Sequence, residues 1–365
     1  MKRLFSFLLV LLILLAGCSH QSQETQPPTE EPKDPHALRL TQESNVRKAT
    51  YEDKDAYTEY LKQAQKLFLI PGLKQVLTPQ GISVCPTTGR TYISAYSVDG
   101  IPSAVIVTEA QTNELVAEYY LYNADGSPFA SHVGGVAVTD THMYLSDTVD
   151  ADGNYRIAAI PLEQLPAEGA HDITVTETIV MAMSPSMLNY SGGYLWVGNF
   201  YHPKAKYDLS PNMPYTTRAC DESEYGCYIL GFDMSQGHGR LLSGDPYPLP
   251  DVILAAPDRI QGITLAGTDK VMLSQSYGRA NDSALLVYNL DTGTEPDLEL
   301  TLNGQQIPAF LLDGNRLAQS INAIPMSEGL AAAPDGSVLV LYESGAIRYE
   351  DGKHRTSYVW SMTVE

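Results

Sequence analysis

IQGITLAGTDKVMLSQSYGR, residues 260–279, reads as a β-hairpin. Gln261 and Gly262 open an apolar run, Ile263 to Leu265; Gly267, Thr268 and Asp269 carry turn chemistry, and Val271 to Ser274 return as a second apolar run. Four further segments share this pattern: PQGISVCPTTGRTYISAYS from Pro79, VGGVAVTDTHMYLSDT from Val133, SMLNYSGGYLWVGNFY from Ser186 and SEGLAAAPDGSVLVLYES from Ser327. Their openings fall at 80, 134, 186, 261 and 328, so the spacings are 54, 52, 75 and 67 residues. A recurring unit of four short strands is too small to bury a core alone, and stacked units must close into a ring.

The first repeat reads as strands near 81–85, 91–96, 103–108 and 115–122, a four-stranded meander. At the chain end, Tyr358 to Val364 has the pattern of a third strand with no fourth to follow. Lys66 to Gln75, KLFLIPGLKQ, precedes the first repeat and is positioned to supply it, which would close the ring and remove two exposed sheet edges. The fold expected is therefore all-β, a β-propeller of four-stranded antiparallel blades spanning residues 49–365. Five blades are expected, with six or seven the alternative if the long third and fourth units hide additional strands. The 23 tyrosines suit half-buried strands.

Upstream of the ring, Met1, Lys2 and Arg3 form a positive flank and Leu4 to Leu15 is almost wholly apolar, the form of a signal peptide over residues 1–17. Leu15, Ala16, Gly17 and Cys18 resemble the bacterial lipobox, which implies lipidation of Cys18 and a mature chain held on a membrane by acyl chains. The expected address is the cell envelope, on the outer face of the cytoplasmic membrane or in the outer membrane. Residues 18–48, rich in Gln, Pro and Glu, read as a solvated tether. Thr50 and Asp53 then offer a helix start, and Ala56, Tyr57, Tyr60, Leu61, Ala64 and Leu67 recur at helical spacing, predicting one short amphipathic helix over 51–66.

The formal charge is −20, and loss of Lys2 and Arg3 with the signal peptide takes it to −22. Such a surface repels phosphate backbones, so nucleic acid is not an expected partner. In an exported chain, Cys220 and Cys227, which bracket the six residues DESEYG, are expected to form a disulfide, whereas Cys85 reads as a buried thiol.

Strand direction locates the candidate site. Neighbouring strands are antiparallel, so residues opening each first strand, loops after each second strand and the connectors between blades share one rim. That rim receives Gln80, Gly134, Ser186, Gln261 and Glu328, with His132 just before one opening. It also receives about 25 residues from Tyr201, including His202, Tyr207, Tyr215 and Tyr225, and connectors near 243–260 and 303–327. Tyr277 to Asp282 follow the second strand of the fourth unit, where Arg279 is placed to clamp a carboxylate or to pair with Asp282 or another acid. Gln80, Gln261, Glu328, Tyr201, His202 and Arg279 are the candidate ligand contacts, because long loops on a rigid scaffold are where binding usually resides. The polar openings serve equally well to hydrogen-bond one another or water along a channel.

The QGI, QGI and EGL openings and the expected ring closure resemble secreted bacterial propellers of the NHL, YncE-like and regucalcin/gluconolactonase-like kinds over residues 66–365. The last of these implies a divalent cation such as calcium, held by a Glu, two Asn and an Asp; Glu328 matches the Glu, while Asn189 and Asn199 lie outside any matching motif. The NHL and YncE-like resemblance implies binding or scaffolding. No GxSxG elbow, HExxH helix, Walker loop or dinucleotide fingerprint is present. The expectation is a surface-anchored lipoprotein whose propeller binds a small molecule, sugar or peptide, or an envelope protein partner. The alternative is a metal-dependent hydrolase of the regucalcin/lactonase type.

Overall fold

Each repeat opening begins the innermost strand of a four-stranded antiparallel blade, and there are five blades among the described residues. The computed structural model describes residues 34–97, 101–147 and 149–364; the expected signal peptide, Cys18 and residues 19–33 of the expected tether lie outside them. From the channel outwards, blade I is Leu77–Val84, Thr91–Ser97, Ala104–Thr108 and Leu115–Asn123. Blade II is Val136–Val138, His142–Ser146, Tyr155–Pro161 and Glu177–Met181. Blade III is Met187–Ser191, Tyr194–Gly198, Cys227–Asp233 and Val252–Ala256. Blade IV is Ile260–Leu265, Lys270–Gln275, Ser283–Asn289 and Leu317–Ala323. Blade V takes Ser327–Ala332, Val338–Tyr342 and Tyr358–Met362 from the chain's end and Ala64–Leu69 from its beginning. The closing strand starts two residues before Lys66 and stops at Leu69, where turns take over the remainder of the 66–75 segment.

The long third and fourth units do hide strands, but these extend existing blades instead of building a sixth. Gly169–Val175 leaves blade II and pairs in parallel with the outer strand of blade I. The hairpin Leu298–Leu302 and Gln305–Leu311 leaves blade IV and pairs in parallel with the outer strand of blade III, Ile253 opposite Ala309. The segments near 243–260 and 303–327, expected as connectors at the mouth, thus contain strands on the outside of the ring. Both insertions cover an edge that would otherwise expose unpaired backbone groups.

The glycine found in four of the five openings has a steric cause. A Cβ at Gly81 would lie 2.5 Å from the Val136 nitrogen, at Gly135 2.0 Å from the Leu188 nitrogen, at Gly262 2.6 Å from the Glu328 oxygen and at Gly329 2.8 Å from the Ile82 nitrogen. The inner strands of adjacent blades approach backbone to backbone, so a side chain has no room between them. Blade III has Met187 at this place, and opposite it Gly198 makes room for the Met187 side chain.

Five buried clusters fill the ring, and each draws side chains from adjoining blades, such as Val105 and Tyr119 with Val138 and Leu145 between blades I and II. Tyr51, Tyr57 and Tyr60 join the cluster between blades IV and V, with the Tyr60 ring 5.3 Å from Trp360. The expected 51–66 helix is shorter: a 3₁₀ turn Asp55–Tyr57 leads into Thr58–Gln63, and Ala64 is already extended (φ −120°, ψ 143°). Pairing with the open edge of blade V takes the chain out of the helix. Thr50 bonds His354 Nδ1 at 2.9 Å, and no side chain caps the helix start.

Residues 36–46 are not a solvated spacer. The buried Glu118 carboxylate accepts the backbone N–H of Arg39 (2.9 Å) and Leu40 (2.8 Å) and the Tyr120 hydroxyl (2.9 Å). Gln42 donates to Leu69 O and Asn113 O and accepts from the Leu115 N–H. A carboxylate desolvated inside a blade needs such donors, and the segment before the ring supplies them.

Candidate functional site

A cavity of about 340 Å³ opens at the rim that carries the first-strand openings. Its floor includes Gln80, Gly134, Ser186 and Gln261, and its walls come from Ser131, His132 and Val133, from Ser146 and Asp147, and from Ser184 and Pro185. Phe200, Tyr207 and Tyr277, each following a second strand, form an aromatic side. The Phe200 ring meets Tyr207 edge-on at 4.9 Å, and both tyrosines remain exposed. Left-handed backbone turns the chain into the channel at Val133 (φ 43°), Arg259 (φ 62°) and Met326 (φ 65°), each immediately ahead of an inner strand or its opening glycine. This conformation costs about 1–3 kcal/mol per residue, most acutely for β-branched Val133, and strain of this kind collects at ligand sites.

Beneath the floor lies a carboxyl pair. Glu328 is buried and Glu343 half-buried, and the two carboxyls are hydrogen-bonded to each other. Gln80 Nε2 donates to Glu343 Oε2 at 2.8 Å and to Pro79 O, while Gln261 Nε2 is 3.5 Å from Glu328 Oε1. Burial, then the Glu343 charge, pushes the Glu328 carboxyl well above the usual range. Burial raises Glu343 to about 6, held down from further rise by hydrogen bonds from Tyr349, Gln80 and Glu328 and by the Arg348 charge. Both carboxyls are thus raised together, and the pair holds a shared proton more readily than two exposed carboxyls would. Arg348 also donates to the Tyr96 hydroxyl, and the Tyr96 ring stacks on His132 at 4.2 Å, so the dyad is tied through packed side chains to the cavity wall.

The candidate contacts do not all converge. Gln80 and Gln261 line the cavity, and Glu328 sits under it. Tyr201 is buried, its ring beside Gly226, and does not line the cavity. His202 backs the aromatic side, its ring 4.5 Å from Tyr277 and its Nδ1 3.6 Å from Asp258. Arg279 holds Asp351 through two bonds of 2.6 and 2.8 Å and lies over the Tyr349 ring, away from the cavity. Asp147 reaches the wall already paired with Arg156 at 2.8 Å.

Glu343 and Ser146 were missed in the sequence, although a signal exists. The residue closing or following each second strand is polar in all five blades: Ser97, Ser146 and Asp147, Asn199, Ser276, and Glu343. The Ser146 hydroxyl is buried with no hydrogen-bond partner, at the cavity wall.

Cys220 and Cys227 are free thiols and form no disulfide. Cys227 begins the third strand of blade III and is buried, its Sγ donating to Asn199 O (3.2 Å), whereas Cys220 is exposed in the turn of the hairpin Thr217–Arg218 and Glu224–Tyr225 and donates its N–H to Asp313. Burial pushes the Cys227 thiol far up, so it is not a nucleophile.

The donor set of a lactonase-type cation does not assemble. Asn189 donates to Leu330 O and accepts from the Ser191 hydroxyl, and Asn199 donates to Gly226 O and accepts from the Tyr228 N–H, so both amides are already engaged within the protein. Glu328 faces a second carboxyl and an amide N–H, not a converging shell of oxygens.

No protein-family model matches the sequence, and no curated protein matches it. Among solved structures, the chain is similar to a putative oxidoreductase (glucose dehydrogenase) from Thermus thermophilus, with a TM-score of 0.41 and 14% identity over 82% of this chain and 99% of that one. It is also similar to hydrazine synthase from Kuenenia stuttgartiensis (TM-score 0.33, 14% identity, 74% of this chain and 57% of that one). Hsv2 from Kluyveromyces marxianus gives a TM-score of 0.30 at 11% identity, over 76% of this chain and 63% of that one. At these levels none of them bears on what this chain binds or does.

Proposed function

We propose that the channel mouth binds a small, neutral, polyhydroxylated ligand of sugar size, and that the protein is an envelope-anchored binding lipoprotein rather than an enzyme. The observation that carries this reading is the Ser146 hydroxyl, buried at the cavity wall and left without a partner. A buried polar group in that condition costs about 1–3 kcal/mol, which a ligand hydroxyl would offset. The other lining groups suit the same chemistry: serine hydroxyls, two amides oriented by the dyad, and the exposed faces of Tyr207 and Tyr277. Among the described residues no lysine or arginine lines the cavity, and the chain is strongly acidic, which disfavours an anion. Hydrolysis by paired carboxyls is disfavoured because Glu328 and Glu343 touch, whereas glycosidase pairs stand about 5 Å or more apart. Lipidation at Cys18 remains part of the proposal and is tested by acyl labelling of Cys18→Ala.

The test is a panel of mono- and disaccharides screened by melting temperature and followed by calorimetry. A binder is expected, with affinity falling about tenfold in Ser146→Ala, the equivalent of about 1.4 kcal/mol, and further in Tyr277→Ala. A panel without binders, or a binder indifferent to both changes, would refute the reading.

A further inference from the structure

On the opposite rim, at the seam between blades II and III, three metal-ligating side chains meet outside any motif in the sequence. His142 opens the second strand of blade II, Glu177 opens its outermost strand, and His238 comes from the 3₁₀ turn His238–Arg240 that follows the third strand of blade III. One donor atom from each lies within 4.8 Å of the other two. The two imidazoles stack at 3.9 Å with an interplanar angle of 11°. Each ring is fixed through Nδ1 by a hydroxyl: His142 by Thr141 Oγ1 at 2.9 Å, and His238 by the Tyr144 hydroxyl at 3.0 Å. That leaves Nε2 of each ring as the donor, and His238 Nε2 already stands 3.2 Å from both Glu177 oxygens.

We propose that His142, Glu177 and His238 form a binding site for a divalent transition-metal ion, with Zn²⁺ the ion its donors suit best. Two imidazoles and one carboxylate favour a borderline ion over calcium or magnesium, which take oxygen shells. Imidazoles that ligate metals are held by a hydrogen bond at the other nitrogen, and here both rings have one. An ion pair between His238 and Glu177 explains two of the residues without a metal. It gives no reason for a second oriented imidazole to stand face to face with the first. A tetrahedral ion with ligands at about 2.1 Å sets its donors about 3.4 Å apart, so binding draws the three atoms together by up to about 1.4 Å and opens the ring stack. Three protein ligands leave the fourth position to water. The ion would tie a blade II strand to a blade III turn, so it should raise the melting temperature.

The experiment uses the full-length protein, stripped with chelator and titrated with Zn²⁺ by calorimetry while its melting temperature is followed. The expected result is one Zn²⁺ per chain and a higher melting temperature, with no response to Ca²⁺. Glu177→Gln and His142→Gln should each weaken binding at least tenfold. Tyr144→Phe, which keeps all three ligands, should weaken it about 10- to 100-fold by freeing the His238 ring. His171→Gln, in the separate stacked pair with His36, should change nothing. If His142→Gln does not fold, Glu177→Gln and Tyr144→Phe carry the test. No uptake at micromolar Zn²⁺, or uptake unchanged in both of those variants, would overturn the proposal; the latter would mean an adventitious ion only.

Discussion

Replacing Glu343 by glutamine should change how stability depends on pH, and the size of the change follows from the burial of the dyad. In the folded protein Glu343 is raised from the ordinary 4.5 to about 6. A carboxyl raised by folding binds its proton more tightly in the native state. Its contribution is therefore fully present below pH 4.5 and is lost as pH rises through about 6. At about 1.4 kcal/mol per pH unit, the displacement corresponds to about 2 kcal/mol of native stability lost between pH 4 and pH 7. Glutamine keeps the shape and an oxygen to accept from Gln80 but cannot ionise. Urea unfolding of wild type and Glu343→Gln at matched pH values reads the pair, because the carboxylates outside it titrate alike in both proteins. The stability difference should move by about 2 kcal/mol in favour of the variant from pH 4 to pH 7. A difference that stays flat across that range would mean that Glu343 ionises as freely as an exposed carboxyl, and the buried proton-sharing pair would have to be abandoned.

Two further changes probe the ring and its N-terminal strap. Gly135→Ala places a Cβ 2.0 Å from the Leu188 nitrogen, so it should destabilise by about 3 kcal/mol or more, whereas Gly239→Ala, with open space around it, should be near neutral in the same denaturation assay. Glu118→Gln exchanges a carboxylate for an amide that cannot accept all three of its bonds, so it should cost about 1.5–3 kcal/mol and speed hydrogen exchange at Arg39 and Leu40; unchanged protection there would contradict the docking of residues 36–46.

The hairpins were legible because each is local: Ile260–Leu265 and Lys270–Gln275 are joined by Gly267 in a left-handed turn, and the residues that shape the turn stand next to the strands they join. Closure by an N-terminal segment was legible from the strand missing after Tyr358. The helix end was not, since Gln63 and Ala64 are good helix residues and only the vacant edge of blade V draws Ala64 into a sheet. Glu328 stood out through its repeated position, but its partner did not, because Glu343 meets it inside blade V across a turn and Gln80 reaches it only when the ring closes. Spacing likewise suggested a bond between Cys220 and Cys227 while saying nothing of direction. One points into a blade and the other sits in an exposed turn. The His142, Glu177 and His238 cluster is invisible for the same reason, being assembled from two strands of blade II and a turn of blade III that meet across a blade boundary.

The two proposed sites share one strand, and its geometry says how they relate. In His142–Ser146 alternate side chains face opposite ways. Met143 and Leu145 enter the cluster shared with blade I, while Tyr144 enters the cluster shared with blade III. His142, Tyr144 and Ser146 therefore lie on one face, in order a metal donor, the hydroxyl that fixes the second imidazole, and the unpartnered hydroxyl of the cavity wall. At about 3.3 Å per residue the two ends are about 13 Å apart, beyond the 7–10 Å within which neighbouring changes usually couple. The strand is hydrogen-bonded on both sides and packed on both faces, so it offers no second position into which one site could drive it. Coupling between distant sites needs an element with two arrangements, and this strand has one. Occupancy at one rim is then felt at the other only through overall stability, so Ser146→Ala should leave Zn²⁺ affinity alone, and Glu177→Gln should leave sugar affinity alone.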